Sequence, residues 1–320
     1  MDALGSLLDG PRPRGAFLLK ALLDPPWSLH VRDRAPLALL AMAAGEGWLV
    51  PAGGAPERLC PGDVAVVRGP APYVLADDPA TPPTAVIHPG QRATTPDGEE
   101  LCERLALGAR TWGTGGSTTV LVAVHETPGE LSSRLLGALP ATLVIRSRTW
   151  ESPLVPLLAA ELGRDEPGQD VVLDRLLDLL LVAALREWFA REDADAPAWY
   201  RAHTDPVAGQ ALRLLHDDPA HPWTVATLAA KTGVSRAALA RRFTALVGES
   251  PMAYLTGLRL ALAADLLRGS DSTVDAVARK VGYGSPFALS TAFKRVRGLS
   301  PQEYRERTVH PATVAGAAPG

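Results

Sequence analysis

The chain has 320 residues, 47% apolar and 21% charged, which is long enough for two globular domains, and its longest apolar stretches are broken by charge, which excludes a membrane-spanning helix. Its net charge of -3 hides an asymmetry: residues 206–320 hold 14 Lys and Arg against 8 Asp and Glu, and residues 1–205 hold 18 against 27. A basic C-terminal module suits a polyanion, whereas the acidic remainder argues against nucleic acid there.

From its beginning the chain reads as a frayed end with one helical turn at residues 3–8, then as apolar runs of strand length. These are 15–23, 28–32, 36–43, 47–51, 63–68, 73–76, 84–88, 101–107 and 118–124, separated by turn clusters such as Ala52-Gly53-Gly54-Ala55 and Cys60-Pro61-Gly62-Asp63. Short strands at this spacing, followed by helices, predict an antiparallel barrel or double sheet. The phrase Pro61-Gly62-Asp63-Val64-Ala65-Val66-Val67 resembles the turn and strand of a cupin.

A cupin enzyme needs clustered metal ligands, and here His30, His88 and His125 are scattered with no His-x-His pair, so no metal site and no catalytic residue is expected. Cys60 and Cys102 form neither a CxxC pair nor a disulfide framework; they read as reduced thiols, with a redox switch as the alternative. A barrel of this size encloses at most one small ligand, and Met42, Trp48, Tyr73 and Trp112 are the candidate lining of such a pocket.

After residue 124 the pattern turns helical. Residues 130–139 and 154–162 read as helices around a brief strand at 142–146, and 169–191 as a long helix. There Val172, Leu176, Leu179, Leu180, Ala183, Leu185 and Phe189 spread over more than one face, against a polar side of Asp174, Arg175, Asp178 and Arg186. Such width suits a helix covered on two sides, by its own subunit or by a dimer partner. Residues 192–197 read as an interdomain linker, 199–204 as a bridge, and a helix then runs to His216 with Val207, Ala211, Leu214 and Leu215 inward.

The last hundred residues say nearly the same thing twice. Gly-Glu-Ser-Pro-Met-Ala-Tyr, ending at Tyr254, returns as Gly-Leu-Ser-Pro-Gln-Glu-Tyr, ending at Tyr304; Val225, Ala229, Gly233 and Phe243 return as Val274, Ala278, Gly282 and Phe293. In the first copy Thr224 caps a short helix, Gly233 turns, and Ser235 opens a second helix with Leu239, Phe243 and Leu246 inward. In the second, Thr273 caps, Gly282 turns, and Phe287, Leu289 and Phe293 recur on a helix beginning near Ser285, with one extra residue that predicts a looser turn. Each copy is a helix-turn-helix, whose second helix enters the major groove of DNA. Residues 252–268 read as one connecting helix with Tyr254, Leu255, Leu258, Leu262 and Leu266 on its apolar side. It is roughly 25 Å long, which sets two reading helices near the roughly 34 Å of one DNA turn.

These residues, with the linker pattern Arg259, Ala263, Leu266, Leu267 and the segment Val-Ala-Arg-Lys-Val-Gly-Tyr-Gly-Ser-Pro-Phe-Ala-Leu-Ser-Thr-Ala-Phe-Lys-Arg, resemble the paired helix-turn-helix domain of AraC/XylS transcription regulators over about a quarter of the chain. The resemblance implies a cupin-like effector or dimerisation domain ahead of it. The expected fold is thus α+β and multidomain: a cupin-like antiparallel β-barrel at 1–150, a helical dimerisation segment at 151–192, a linker at 193–204, an all-α domain with two helix-turn-helix units at 205–307, and a disordered tail at 308–320.

Arg236 and Arg241 lie on the exposed side of the first reading helix, close enough to its start to reach bases. The family pattern places the base-reading positions at Arg236, Ala237, Ala240 and Arg241, and in the second copy at Ser285, Pro286, Ser290 and Thr291. Alanines leave thymine-methyl contact as their main possibility, and Thr291 cannot make a bidentate guanine contact, so the first unit is expected to specify more sequence. Backbone contacts are assigned to Arg242, Arg259, Lys294 and Arg295, and to helix starts at Thr224, Ser235 and Thr273. The expected partners are double-stranded promoter DNA, a small-molecule effector and a second copy of the chain, in the cytoplasm, with no cofactor and no membrane. A cupin-type metalloenzyme or a DNA-repair regulator is the alternative, and the repair reading lacks the four thiolates it needs.

Overall fold

The computed structural model describes residues 17–125, 136–150, 152–191, 196–269 and 272–309. The expected helices at 3–8 and over the first half of 130–139, most of the 192–197 linker, and the tail beyond 309 lie outside them. The chain divides into two compact units: 13–128 with 135–195, and the stretch from 196 onward.

The first unit is a pair of sheets. One is ordered β10-β11-β1-β12-β3-β6-β13, from β1 (Phe17–Leu23), β3 (Leu37–Ala44), β6 (Val64–Arg68), β10 (Ala106–Gly108), β11 (Thr111–Gly113), β12 (Thr118–His125) and β13 (Thr142–Ile145). The other is ordered β5-β4-β7-β2-β8-β9, from β2 (Ser28–Val31), β4 (Gly47–Pro51), β5 (Glu57–Leu59), β7 (Tyr73–Ala76), β8 (Ala85–Ile87) and β9 (Ala93–Thr94). Of the expected barrel or double sheet the structure is the double sheet, and two of its ladders, β1 with β11 and β2 with β8, are parallel rather than antiparallel. The run expected as a strand at 101–107 is mostly turn. Strands of two or three residues such as β5, β9 and β11 carry too little pattern to be seen without their partners.

Strand β3 shows why its sequence is apolar throughout. Ala38, Leu40 and Met42 belong to the core between the sheets. Leu37, Leu39 and Ala41 are buried on the other face, where α1 (Leu154–Glu161) packs, so alternation would leave one face unsatisfied. The cupin-like turn is a brace. Asp63, 3% exposed, accepts hydrogen bonds from the amides of Cys60 (3.1 Å) and Ser147 (2.8 Å) and pairs with Arg146 at 3.2 Å.

Helix α2 (Gln169–Phe189) lies against α1 and buries Leu173, Leu177, Leu180, Leu181, Ala184, Leu185 and Phe189. Its buried stripe is rotated from the expected one, and Val172 and Leu179 are 44% and 55% exposed.

The second unit is helical: α3 (Ala198–Arg201) and a 3-10 turn at Ala202–Thr204, then α4 (Ala208–Asp217), α5 (Val225–Lys231), α6 (Arg236–Val247), α7 (Pro251–Gly269), α8 (Val274–Lys280), α9 (Pro286–Arg297) and α10 (Pro301–Val309). Residues 198–204 are no bridge: Trp199 and Ala202 are buried, and α3 packs on α6. Helix α7 touches α6, α8, α9 and α10 and is buried on more than its expected side, with Leu260, Ala263, Ala264 and Leu267 joining Tyr254, Leu255 and Leu258.

Candidate nucleic-acid interface

The two reading helices are built by the same local chemistry. Ser235 Oγ accepts the Ala238 amide at 3.2 Å to start α6, and Ser285 Oγ accepts the Ala288 amide at 3.2 Å to start α9. Thr224 and Thr273 cap α5 and α8 through the amides of Thr227 and Ala276, each at 3.1 Å. Gly248 and Gly298 end α6 and α9 in the left-handed conformation, at φ 88° and 75°. The repeated Phe and Tyr are one packing device made twice: Phe243 meets Tyr254 edge to face with centroids 5.9 Å apart, and Phe293 meets Tyr304 at 5.3 Å.

From cap to cap both reading helices span twelve residues, so the extra residue of the second copy sits wholly in its turn. That turn is not loose. Gly282 has φ +86°, and a Cβ placed there would lie 2.6 Å from the Ala220 carbonyl oxygen, whereas Gly233, at φ +70°, has open space beside it. Tyr283, in the same turn, is half-buried beneath the Arg259 guanidinium.

Leu239 and Phe243 of α6, and Leu289 and Phe293 of α9, are fully buried and fix how each helix is rotated. Arg236, Ala237 and Arg241 are exposed on α6, with Ala240 at the edge; Pro286 and Thr291 are exposed on α9, with Ser285 and Ser290 at the edge. Lys294 and Arg295 are exposed one turn further along. Aligning the two caps pairs Arg236, Ala237, Ala240 and Arg241 with Pro286, Phe287, Ser290 and Thr291. Ser285 is thus the counterpart of the capping Ser235, and Phe287, expected in the core, is 80% exposed. Leu246, also expected inward, is 38% exposed. The two serine caps were the signal in the sequence that could have placed Phe287 outside.

Two of the cations expected on phosphates are engaged within the unit. Arg242 reaches Asp205 through Nε at 2.9 Å and Nη2 at 2.7 Å. Arg259 donates through Nε to the Pro219 carbonyl at 2.6 Å and through Nη2 to that of His221 at 2.7 Å, so it ties α7 to the loop before α5. Burial lowers its pKa below the ordinary arginine value. A long flexible guanidinium takes whatever acceptors the fold brings near, and sequence spacing does not show carbonyls about forty residues away.

In the first unit a cavity of about 280 Å³ opens between the two sheets. Leu19, Leu40, Ile87, Val122 and Trp112 form much of its apolar wall, and Tyr73, Asp33, Gln91 and Cys102 bring its polar groups. Of the four expected lining residues Tyr73 and Trp112 are there. Met42 instead plugs the core against Gly47 and Trp27, and Trp48 follows the alternation of β4, which turns Leu49 inward and Trp48 to the other face. Trp112 spends its Nε1–H on the Leu101 carbonyl at 3.4 Å, whereas the Tyr73 hydroxyl, on a residue 6% exposed, makes no hydrogen bond among the described residues. Burial, and then the nearby Asp33 charge, push the Tyr73 pKa well above its ordinary value. Among the described residues no three His, Cys, Asp or Glu side chains gather as a metal site, and no helix is long and apolar enough to cross a membrane.

Comparison with known proteins agrees with this geometry at both ends of the chain. A cupin family model matches residues 2–190 and a helix-turn-helix domain model matches 228–307. A Streptomyces lividans protein named "Putative AraC-like transcription regulator" is 34% identical over 260 residues, 80% of this chain and 82% of that one. The chain belongs to the AraC-like transcription regulators. The regulator AlkR of Acinetobacter baylyi is similar over nearly the whole length, 29% identical across 96% of this chain and all of that one. The solved DNA-binding domain of AdpA, in complex with a target DNA, is 37% identical over 34% of this chain and 98% of that one, with a TM-score of 0.32. This AraC-like regulator binds DNA sequence-specifically through its helix-turn-helix unit and controls transcription.

Proposed function

We propose that transcriptional control by this chain responds to a small, mostly apolar molecule with one polar group, bound between the sheets of the cupin-like unit. The observation that carries this is the cavity itself: apolar walls, with Tyr73 in the lining and its hydroxyl making no hydrogen bond among the described residues. Tyr73 thus brings to an apolar cavity the hydroxyl on which a ligand acceptor or donor would be oriented. The chain acts in the cytoplasm as a homodimer joined through α2, whose exposed Val172 and Leu179 stand seven residues apart on one stripe, and it is a regulator rather than an enzyme, as its named relatives are.

On DNA, Arg236 and Arg241 are the base readers of the first unit, with Ala237 and Ala240 beside them, and Ser290 and Thr291 serve the second. Lys294, Arg295 and the helix starts at Thr224, Ser235 and Thr273 hold the backbone. The test is a thermal-shift screen of the full chain against apolar alcohols, amides and phenols, followed by DNA-binding titrations with any stabiliser. The reading expects a compound that raises the melting temperature and changes DNA affinity, with both effects weakened in Tyr73→Phe and lost in Leu19→Trp, which fills the cavity. A screen in which no compound moves either quantity would remove the effector from the account.

A further inference from the structure

Phe287 is the most exposed large apolar side chain among the described residues, at 80%, and it stands in the first turn of α9. Leaving a phenyl ring in water forgoes roughly 1.5–3 kcal/mol of burial, so nothing in the folding of the unit explains it. Its position is set by the buried anchors. At 100° per residue Phe287 lies far round the helix from Leu289 and Phe293 and shares a face with Thr291 and Lys294, both exposed. In the cap-to-cap alignment it occupies the place of Ala237, one turn ahead of Arg241.

We propose that Phe287 is a specificity-determining residue of the second unit and that it reads thymine through the 5-methyl group. The inference rests on α9 being a major-groove helix. Along that groove every base edge offers hydrogen-bonding atoms, and only thymine adds an apolar group. The rest of the first turn of α9 favours the same answer. Pro286 carries no N–H, the Ala288 amide is taken by Ser285, and no arginine accompanies Phe287, so little is left there for a guanine or a phosphate. The two units then divide the reading: arginines for guanine in the first, and an aromatic ring for thymine in the second.

The experiment begins with the full chain selecting duplexes from a random pool. Each thymine of the resulting consensus is then replaced in turn by uracil, which keeps every hydrogen-bonding edge and removes only the methyl. Wild type is expected to lose about fourfold in affinity at one such position within the half of the site bound by the second unit, the worth of one buried methyl-sized group. Phe287→Ala is expected to bind the thymine duplex more weakly, to be indifferent to uracil, and to melt with wild type because the ring is exposed; Phe287→Leu should keep part of the methyl preference. Wild-type affinity unchanged by uracil at every position would overturn the assignment. A Phe287→Ala chain that binds DNA normally but transcribes poorly would also do so, by giving the ring to a protein partner. A pool that yields no consensus would sink the underlying reading of the helices rather than the role of this one side chain.

Discussion

Arg242 and Asp205 are locked by a two-pronged ion pair, Nε to Oδ2 at 2.9 Å and Nη2 to Oδ2 at 2.7 Å, although 37 residues separate them. Asp205 also caps α4, accepting the amides of Val207 at 2.9 Å and Ala208 at 2.8 Å. One carboxylate therefore ties the first reading helix to the start of the unit. Losing a helix cap costs about 0.5–2 kcal/mol, so Asp205→Ala should destabilise the chain by an amount in that range in urea melts. Arg242 is half exposed, which screens its pair. Arg242→Ala should therefore cost less than about 1 kcal/mol and should leave the salt slope of DNA binding as it was.

The same carboxylate gives a pH dependence. Burial raises the Asp205 pKa, but hydrogen bonds from Arg242, Ala208 and Val207 outweigh it and hold the group below its ordinary value. A carboxylate depressed in the folded state stabilises it fully above the unfolded pKa and loses that contribution as pH falls through the folded one. The stability gap between wild type and Asp205→Asn should thus be constant near neutrality and close only in acid. A gap that widens on acidification would contradict the assignment.

Arg241 and Lys294 are expected to differ in kind. Arg241→Ala should cost about 1–3 kcal/mol on the selected sequence and little on scrambled duplex, because a guanidinium reads base edges. Lys294→Ala should weaken both alike and flatten the salt dependence by about one unit of slope. Mobility shifts on both duplexes at two salt concentrations separate the cases.

Gly233 and Gly282 look interchangeable in the repeat and are not. Alanine at Gly233 meets only the left-handed backbone, a cost of about 1–2 kcal/mol. At Gly282 it also drives a methyl against the Ala220 backbone, 2.6 Å from its oxygen and 2.7 Å from its Cα, which should add about 1–3 kcal/mol of overpacking. Denaturant midpoints of the two variants measure the difference directly.

The proposed homodimer puts the exposed Val172 and Leu179 at its interface. Placing glutamate at both should turn a dimer into a monomer in sedimentation without lowering the melting temperature of the cupin-like unit, since neither side chain is in its core. A double variant that stays dimeric would move the interface elsewhere.

The caps, turns and aromatic pairs of the helix-turn-helix units are legible in the sequence. Thr224, Ser235, Thr273 and Ser285 cap helices where the sequence places them, and the glycines turn where expected. Phe243 and Phe293 each find the tyrosine eleven residues on. Phe287 lies outside the core because the cap at Ser285 sets the register of α9 whatever the apolarity of the side chain, and in α2 likewise register decides which of many apolar residues are buried. In the cupin-like unit the longer strands and the choice between a barrel and a double sheet are legible, but not the parallel pairing of β1 with β11 and of β2 with β8.

The division follows the range of the interactions. Caps, turns and the repeated aromatic pair join atoms a few residues apart, so the sequence alone determined the paired units and the class of partner they face. The order of the strands among the described residues, the cavity lined by Tyr73, and the capture of Arg242 by Asp205 and of Arg259 by carbonyls before α5 depend on partners brought together from far along the chain. Only the closed fold decides those, because a side chain pairs with what packing leaves within about 3 Å of it.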